Sequence, residues 1–228
     1  MLGSWQRRRR FRAAREQCQH ATLTAWLDAA ERLEPGPIRE TPILVADLEL
    51  TGLDPESDEI ISIGWTEIAE GRIRMADNQH LLIRPEGGVG KSAAIHELRD
   101  RDLAAGIPLA EGLDALFTAA RGKPFLFHHA GLDAACLQRA CERWAGCRPP
   151  MPVLDTLRME AERRQRRGQP IPDGALRLGA LRSSYGLPEH ALHDALGDAI
   201  ATAELLLVMA ARNGGRQGLD LAPLLRWL

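Results

Sequence analysis

The chain has 228 residues, 45% of them hydrophobic and 26% charged, with 29 basic against 31 acidic side chains for a net charge of −2. That balance describes a globular protein of one large domain, with or without an extension, and excludes disorder, a collagen-like repeat and a disulfide scaffold. It also excludes a global positive field, so any contact with nucleic acid must come through local basic patches or bound cations.

The first segment, residues 1–40, carries eight arginines against five acidic residues. Its run Arg7–Arg10, with Arg12 and Arg15, reads as a solvated tail, or alternatively as a basic arm that touches nucleic acid or a partner. No apolar segment follows the run, so a secretory signal is not expected. Leu23, Trp26, Leu27, Ala30 and Leu33 recur at helical spacing, and Pro35-Gly36-Pro37 ends that helix. The expected division is a basic helical extension over 1–40, a main domain over 41–212 and a tail over 213–228. In the main domain, residues 43–50, 60–68 and 79–84 read as three antiparallel strands. Strands at 124–128 and 151–155 then alternate with helices near 109–121, 132–144, 156–167 and 194–212. Three hairpin-linked strands followed by strand–helix alternation predict a mixed five-stranded α/β sheet with helices on both faces. Cys18, Cys136, Cys141 and Cys147 form no C-x-x-C pair and read as reduced thiols. The apolar run Leu205–Ala211 is too short to span a bilayer, so no membrane contact and a cytoplasmic location are expected.

The chemistry starts at Asp47 and Glu49, two carboxylates inside an otherwise apolar strand. Residues at i and i+2 project from one face. Close carboxylates repel and raise each other's pKa until a cation compensates them, and hard divalent ions take such oxygen ligands. Asp133 follows His128-His129-Ala130-Gly131-Leu132 at a strand-to-helix junction, where it also suits a helix N-terminus. His193 and Asp198 open the last helix at H-x4-D spacing, among the small residues Ala195, Ala199, Ala201 and Thr202.

Four ordered pieces resemble the DEDDh exonucleases, the family of the proofreading epsilon subunit of bacterial DNA polymerase III, RNase T and oligoribonuclease. They are Asp47-Leu48-Glu49-Leu50-Thr51-Gly52-Leu53, Ala94-Ile95-His96-Glu97-Leu98, His128 to Asp133, and His193 to Asp198, spanning about residues 41–211. The resemblance implies an RNase H-like fold and two divalent ions, Mg2+ or Mn2+, held by Asp47, Glu49, Asp133 and Asp198. It implies His193 as general base, with Thr51, Leu53 and His96 bordering the terminal nucleotide. The implied partner is the 3′ end of single-stranded DNA or RNA, with a DNA polymerase subunit or a second copy of the chain as further candidates. Leu50, His129, Leu132 and Glu97 depart from the family's usual residues at their positions, and none of them replaces a metal ligand or the base.

Two other classes compete. A non-catalytic nucleic-acid-binding or polymerase-associated subunit shares the fold. A nucleoside triphosphatase is suggested by Glu86-Gly87-Gly88-Val89-Gly90-Lys91-Ser92, although Pro85 stands where a phosphate-binding loop needs its first glycine and Glu86 would repel phosphate. The cluster Arg163-Arg164-Gln165-Arg166-Arg167 either complements a helix dipole or touches a substrate backbone. At the C-terminus, Leu219, Leu221, Leu224, Leu225 and Leu228 read as a short amphipathic helix, and Gln217–Leu221 as a faint sliding-clamp-binding peptide.

Overall fold

The central strand β1 (Ile43–Leu50) is apolar on both faces over its first half, which suits a position inside a sheet covered on two sides. A computed structural model of the chain describes residues 2–85, 103–190, 194–214 and 218–228. In it β1 pairs antiparallel with β2 (Ile60–Ala69) and parallel with β5 (Phe125–Phe127), and β5 pairs parallel with β6 (Pro152–Asp155). β4 (Gln79–Leu82) runs antiparallel to β2. The five strands expected from the sequence are therefore present, and two short ones, β3 (Arg72–Ile73) and β7 (Arg226–Trp227), bring the sheet to seven. β3 exists because Glu70 and Gly71 both adopt positive φ, 55° and 70°. A two-residue turn with positive φ at both positions returns the chain onto β2 with the twist of the strands.

Alternation along β1 sorts its side chains between two cores. Leu44, Ala46 and Leu48 meet one cluster, built from α2 (Ala21–Glu31), α3 (Leu109–Ala119) and α4 (Ala130–Ala145). Ile43 and Val45 meet the other, built from α5 (Thr156–Arg166), α6 (Leu178–Ser184) and α7 (Ala195–Asn213). The helical periodicity of the first segment holds, with Leu23, Trp26, Leu27 and Ala30 all buried and Trp26 edge-on to Phe117 at 5.0 Å.

Two expectations are corrected. The arginine run is not a solvated tail: it belongs to α1 (Leu2–Gln17), which buries Phe11 and Ala14 in the first core. Arg10 donates to the Trp227 and Leu228 carbonyls at 3.1 and 2.7 Å, and the Arg7 guanidinium lies 4.7 Å over the Trp227 ring. Arg7 and Arg10 thus clamp the C-terminal strand while two apolar residues seat the helix. Nor is the C-terminal leucine cluster a helix. Its backbone is used elsewhere: Ile38 N–H donates to the Leu219 carbonyl, Leu221 N–H donates to the Gly36 carbonyl, and β7 pairs antiparallel with β6. Among the described residues, no helix is long and apolar enough to cross a membrane.

Candidate active site

Asp47 and Glu49 continue the β1 row that begins with Ile43 and Val45, so both face α7. Opposite Asp47 in β2 stands Gly64. A Cβ there would lie 2.2 Å from the Ala195 carbonyl carbon and the Leu196 nitrogen. Only glycine lets the N-terminus of α7 rest directly on the sheet, and that contact sets Asp198 over the β1 carboxylates. One oxygen from each of Asp47, Glu49 and Asp198 lies within 4.8 Å of the others. Asp194 caps α7, accepting from Gly197 N–H at 3.3 Å, and adds a fourth negative charge nearby. The β1–β2 register shifts between Glu49 and Leu50, an irregularity of the kind that re-aims side chains at strand ends.

Asp133 enters from the other side, in the first turn of α4. It stands outside the compact group of three, but it is buried and electrostatically coupled to both Asp47 and Glu49. The junction that carries it is braced by Asp155. That carboxylate accepts from the N–H groups of His129 and Ala130, both at 3.1 Å, and from Leu157 and Arg158 at 3.0 and 3.3 Å. One side chain therefore ties the start of α4 to the start of α5. His129 pays with a left-handed backbone, φ 73°, unusual for a residue with a side chain.

Within the cluster the carboxylates act on one another. Burial first, and then the charges of Asp133, Asp198, Glu49 and Asp194, hold Asp47 well above the ordinary carboxylate range. Glu49 is pushed up to about 7 by burial, Asp198 and Asp194. Burial and the neighbouring Asp155 and Glu49 push Asp133 to about 7, against amide hydrogen bonds from its own backbone and from Leu48.

Three histidines surround this group. His190 Nε2 lies 2.8 Å from Asp198 Oδ1. His80 bridges Ser62 Oγ, 2.8 Å from its Nε2, and Asp194 Oδ1, 3.5 Å from its Nδ1. His128 donates from Nε2 to the Leu176 carbonyl at 2.9 Å and meets Thr156 Oγ1 through Nδ1 at 2.8 Å, and burial lowers its pKa. His80 and His190 were invisible to motif reading, as were the bracing by Asp155 and the close approach at Gly64. The expected base His193, the nucleotide-side His96 and the Glu86–Ser92 loop all lie outside the described residues.

The turn after β1 is organised by Asp58. Thr51 donates its hydroxyl to Asp58 Oδ1 and accepts Glu59 N–H, both at 2.9 Å, and Asp54 N–H donates to Asp58 Oδ2 at 2.8 Å. Thr51 is thus committed to the turn, while Leu53 projects from it with 82% of its surface exposed. As a donor set, clustered carboxylates with raised pKa values suit hard divalent cations, which would remove the repulsion that burial amplifies.

A mixed sheet of this topology, with helices on both faces and acidic groups at the end of its central strand, defines an RNase H-like α/β fold with a nuclease-type site. The exonuclease family RNase_T matches residues 44–206, and the chain belongs to that family. It is 32% identical over 178 residues to the DNA polymerase III subunit epsilon-like protein of Rhodobacter capsulatus, covering 75% of this chain and 24% of that one. It is 27% identical over 164 residues to the 3′–5′ exonuclease DinG of Staphylococcus epidermidis, covering 72% of this chain and 17% of that one. The chain thus spans a quarter or less of the length of these relatives. In fold it matches E. coli exonuclease I in complex with a dA16 oligonucleotide, with a TM-score of 0.64 at 15% identity over 77% of this chain and 42% of that one.

Proposed function

We propose that the chain is a metal-dependent 3′–5′ exonuclease that removes nucleotides from the 3′ end of single-stranded nucleic acid, DNA in preference to RNA. The observation that carries this reading is the convergence of Asp47, Glu49 and Asp198 within 4.8 Å, with the buried Asp133 near enough for its charge to act on Asp47. The relative described as a 3′–5′ exonuclease supports the direction of cleavage, and the oligonucleotide complex of the structural neighbour supports DNA.

In this proposal Asp47, Glu49, Asp133 and Asp198 hold two divalent ions, Mg2+ or Mn2+. Such ions supply an acidified water and neutralise charge on a phosphodiester and its leaving oxygen. His193 takes the proton from the attacking water, a task suited to an imidazole near neutral pH. Water attacks the last phosphorus, the bond to the 3′ oxygen of the preceding nucleotide breaks, and a nucleoside 5′-monophosphate leaves. Leu53 packs against the terminal base, with Thr51 and His96 beside it. Gly64 and Asp155 touch no substrate and act by holding Asp198 and Asp133 in place.

The test is digestion of 5′-labelled single-stranded DNA and RNA with Mg2+, Mn2+ or EDTA. The expected result is a metal-dependent ladder shortening from the 3′ end, faster on DNA and lost in His193→Ala. A protein that binds the strand without shortening it is a binding subunit instead. ATP hydrolysis lost in Lys91→Ala but kept in Asp47→Ala would place it among the triphosphatases.

A further inference from the structure

Residues 168–177, between α5 and α6, wall two grooves. On one side, Ile171 and Arg177 line a groove of about 530 Å³ together with His128 and His129, the residues that lead into α4 and Asp133. On the other side, Gln169 and Pro170 line a groove of about 500 Å³ together with Arg163, Arg164, Arg167 and Arg212. Pro170 and Ile171 are consecutive, so the two grooves adjoin at that step and offer neighbouring stretches of one track. It runs from His128 and His129 to the arginines. α7 gives the scale: at about 1.5 Å per residue, Arg212 lies ~21 Å along the helix from Asp198.

The charge along the track is specific. Glu160 is fully buried and takes two of the arginines, Arg163 and Arg164, each at 2.7 Å. Arg167, Arg177 and Arg212 are exposed and have no carboxylate partner among the described residues. The acidic groups on the track are Glu160, already neutralised, and Asp173 in the first groove. Ile171, 42% exposed, offers an apolar surface between them. Spaced cations with an apolar step are the features that follow a sugar–phosphate backbone while letting a base rest on protein.

We infer that this track carries the 5′-ward part of a single-stranded DNA substrate, with phosphates on Arg177, Arg167 and Arg212 and a base against Ile171. The inference rests on the exonuclease reading and adds a substrate class to it: strands long enough to reach the arginines, held without regard to base sequence. Very short oligonucleotides are cut without the benefit of the track.

The test uses the combined variant Arg167→Ala/Arg177→Ala/Arg212→Ala, with Arg8→Ala/Arg9→Ala/Arg12→Ala on the exposed face of α1 as a control of equal charge. Arg212 also donates to the Tyr185 carbonyl, so Arg167→Ala/Arg177→Ala is run beside them in case the triple variant folds poorly. Two quantities are read: the ratio of kcat/KM for a ~20-nucleotide strand to that for a trinucleotide, and the salt dependence of binding of the longer strand by anisotropy. Each phosphate contact on a single strand contributes ~0.7 to the slope of log K against log salt. The track variant is expected to lower the ratio about tenfold and the slope by about 2, the double variant to lower the slope by about 1.4, and the α1 control to change neither. An unchanged ratio and slope in the track variants overturns the inference, as does an equal fall in the control. Binding of a polyglutamate peptide in place of the strand, lost in the same variants, overturns it in favour of an acidic protein partner. A wild type that cuts both lengths equally well overturns the inference alone, whereas one that cuts neither removes the exonuclease reading with it.

Discussion

Glu49 and Glu160 are both buried carboxylates on the α7 side of the sheet, and the chain treats them in opposite ways. Burial works against the charge of Glu160, but Arg163, Arg164 and the Tyr185 hydroxyl at 2.8 Å outweigh it and hold the carboxyl at about 2. Glu49 shares its surroundings with Asp47, Asp133, Asp194 and Asp198, and sits at about 7. A carboxylate that serves the fold is neutralised within the chain, at Glu160 by two arginines of its own helix α5 and the hydroxyl of the residue after α6. The carboxylate set around Glu49 is crowded with like charges, and in the proposed reading divalent cations compensate them.

The sharpest break of that contrast is Asp47→Asn. In the proposed reading it removes a metal ligand from the crowded set, so cleavage should fall by ~10³-fold or more. In EDTA the same variant should melt higher than wild type, because one repelling charge is gone, by on the order of 1–3 kcal/mol. A variant that loses activity and stability together would point to a structural role for Asp47. Next in size is Gly64→Ala. Its Cβ meets the α7 backbone at 2.2 Å, so either the helix or the strand must shift. Overpacking of this kind costs ~1–3 kcal/mol, and an ångström of displacement at Asp198 would cost ~10² in rate. Activity and melting temperature measured on one preparation check both.

The two environments also predict opposite pH trends. Glu49 and Asp133 have folded pKa values raised to about 7 from 4.5 and 3.8, so below those lower values their contribution is fully present. Between them and about 7 the native state binds more protons than the unfolded chain, so stability in EDTA falls as pH rises through this window. Glu160 runs the other way. Its contribution is present above 4.5 and is lost as pH falls toward about 2. Melting curves from pH 3 to pH 8 in EDTA should bend down at both ends, and Mn2+ should lift the alkaline end. The smallest effect expected is that of Tyr185→Phe, which takes one donor from Glu160 and costs ~1–2 kcal/mol, a loss that Mn2+ does not reverse.

Much of the candidate site is legible in the sequence. Asp47 and Glu49 stand out because a period-2 row of Ile and Val is broken by two acids on the same face. Asp133 and Asp198 needed the ordered spacing of whole motifs, because either alone reads as a helix N-terminal acid. What stayed hidden depends on which backbone comes close to which. A glycine in a strand does not reveal that α7 lies on it, and Asp155 reads as an ordinary cap of α5 until the start of α4 is seen against it. His80 and His190 reach the acidic group through register and loop path, not through a local pattern. At the termini, patterns misled. Arginines in α1 hid a packing face made by Phe11 and Ala14, and leucines near the C-terminus fit a helical period while their backbone was already paired with Gly36, Ile38 and β6.

In the proposed reading the crowded carboxylates are completed by divalent cations. The direct measurement is a calorimetric titration of the metal-free protein with Mn2+ at pH 6.5, in two buffers of different ionisation enthalpy, for wild type and Asp47→Asn/Asp198→Asn. Wild type should bind Mn2+ and release protons as it does so, because Glu49 and Asp133 are partly protonated at that pH, and the double variant should bind far more weakly. Mn2+ binding without proton release, or equal binding by the double variant, would contradict the account.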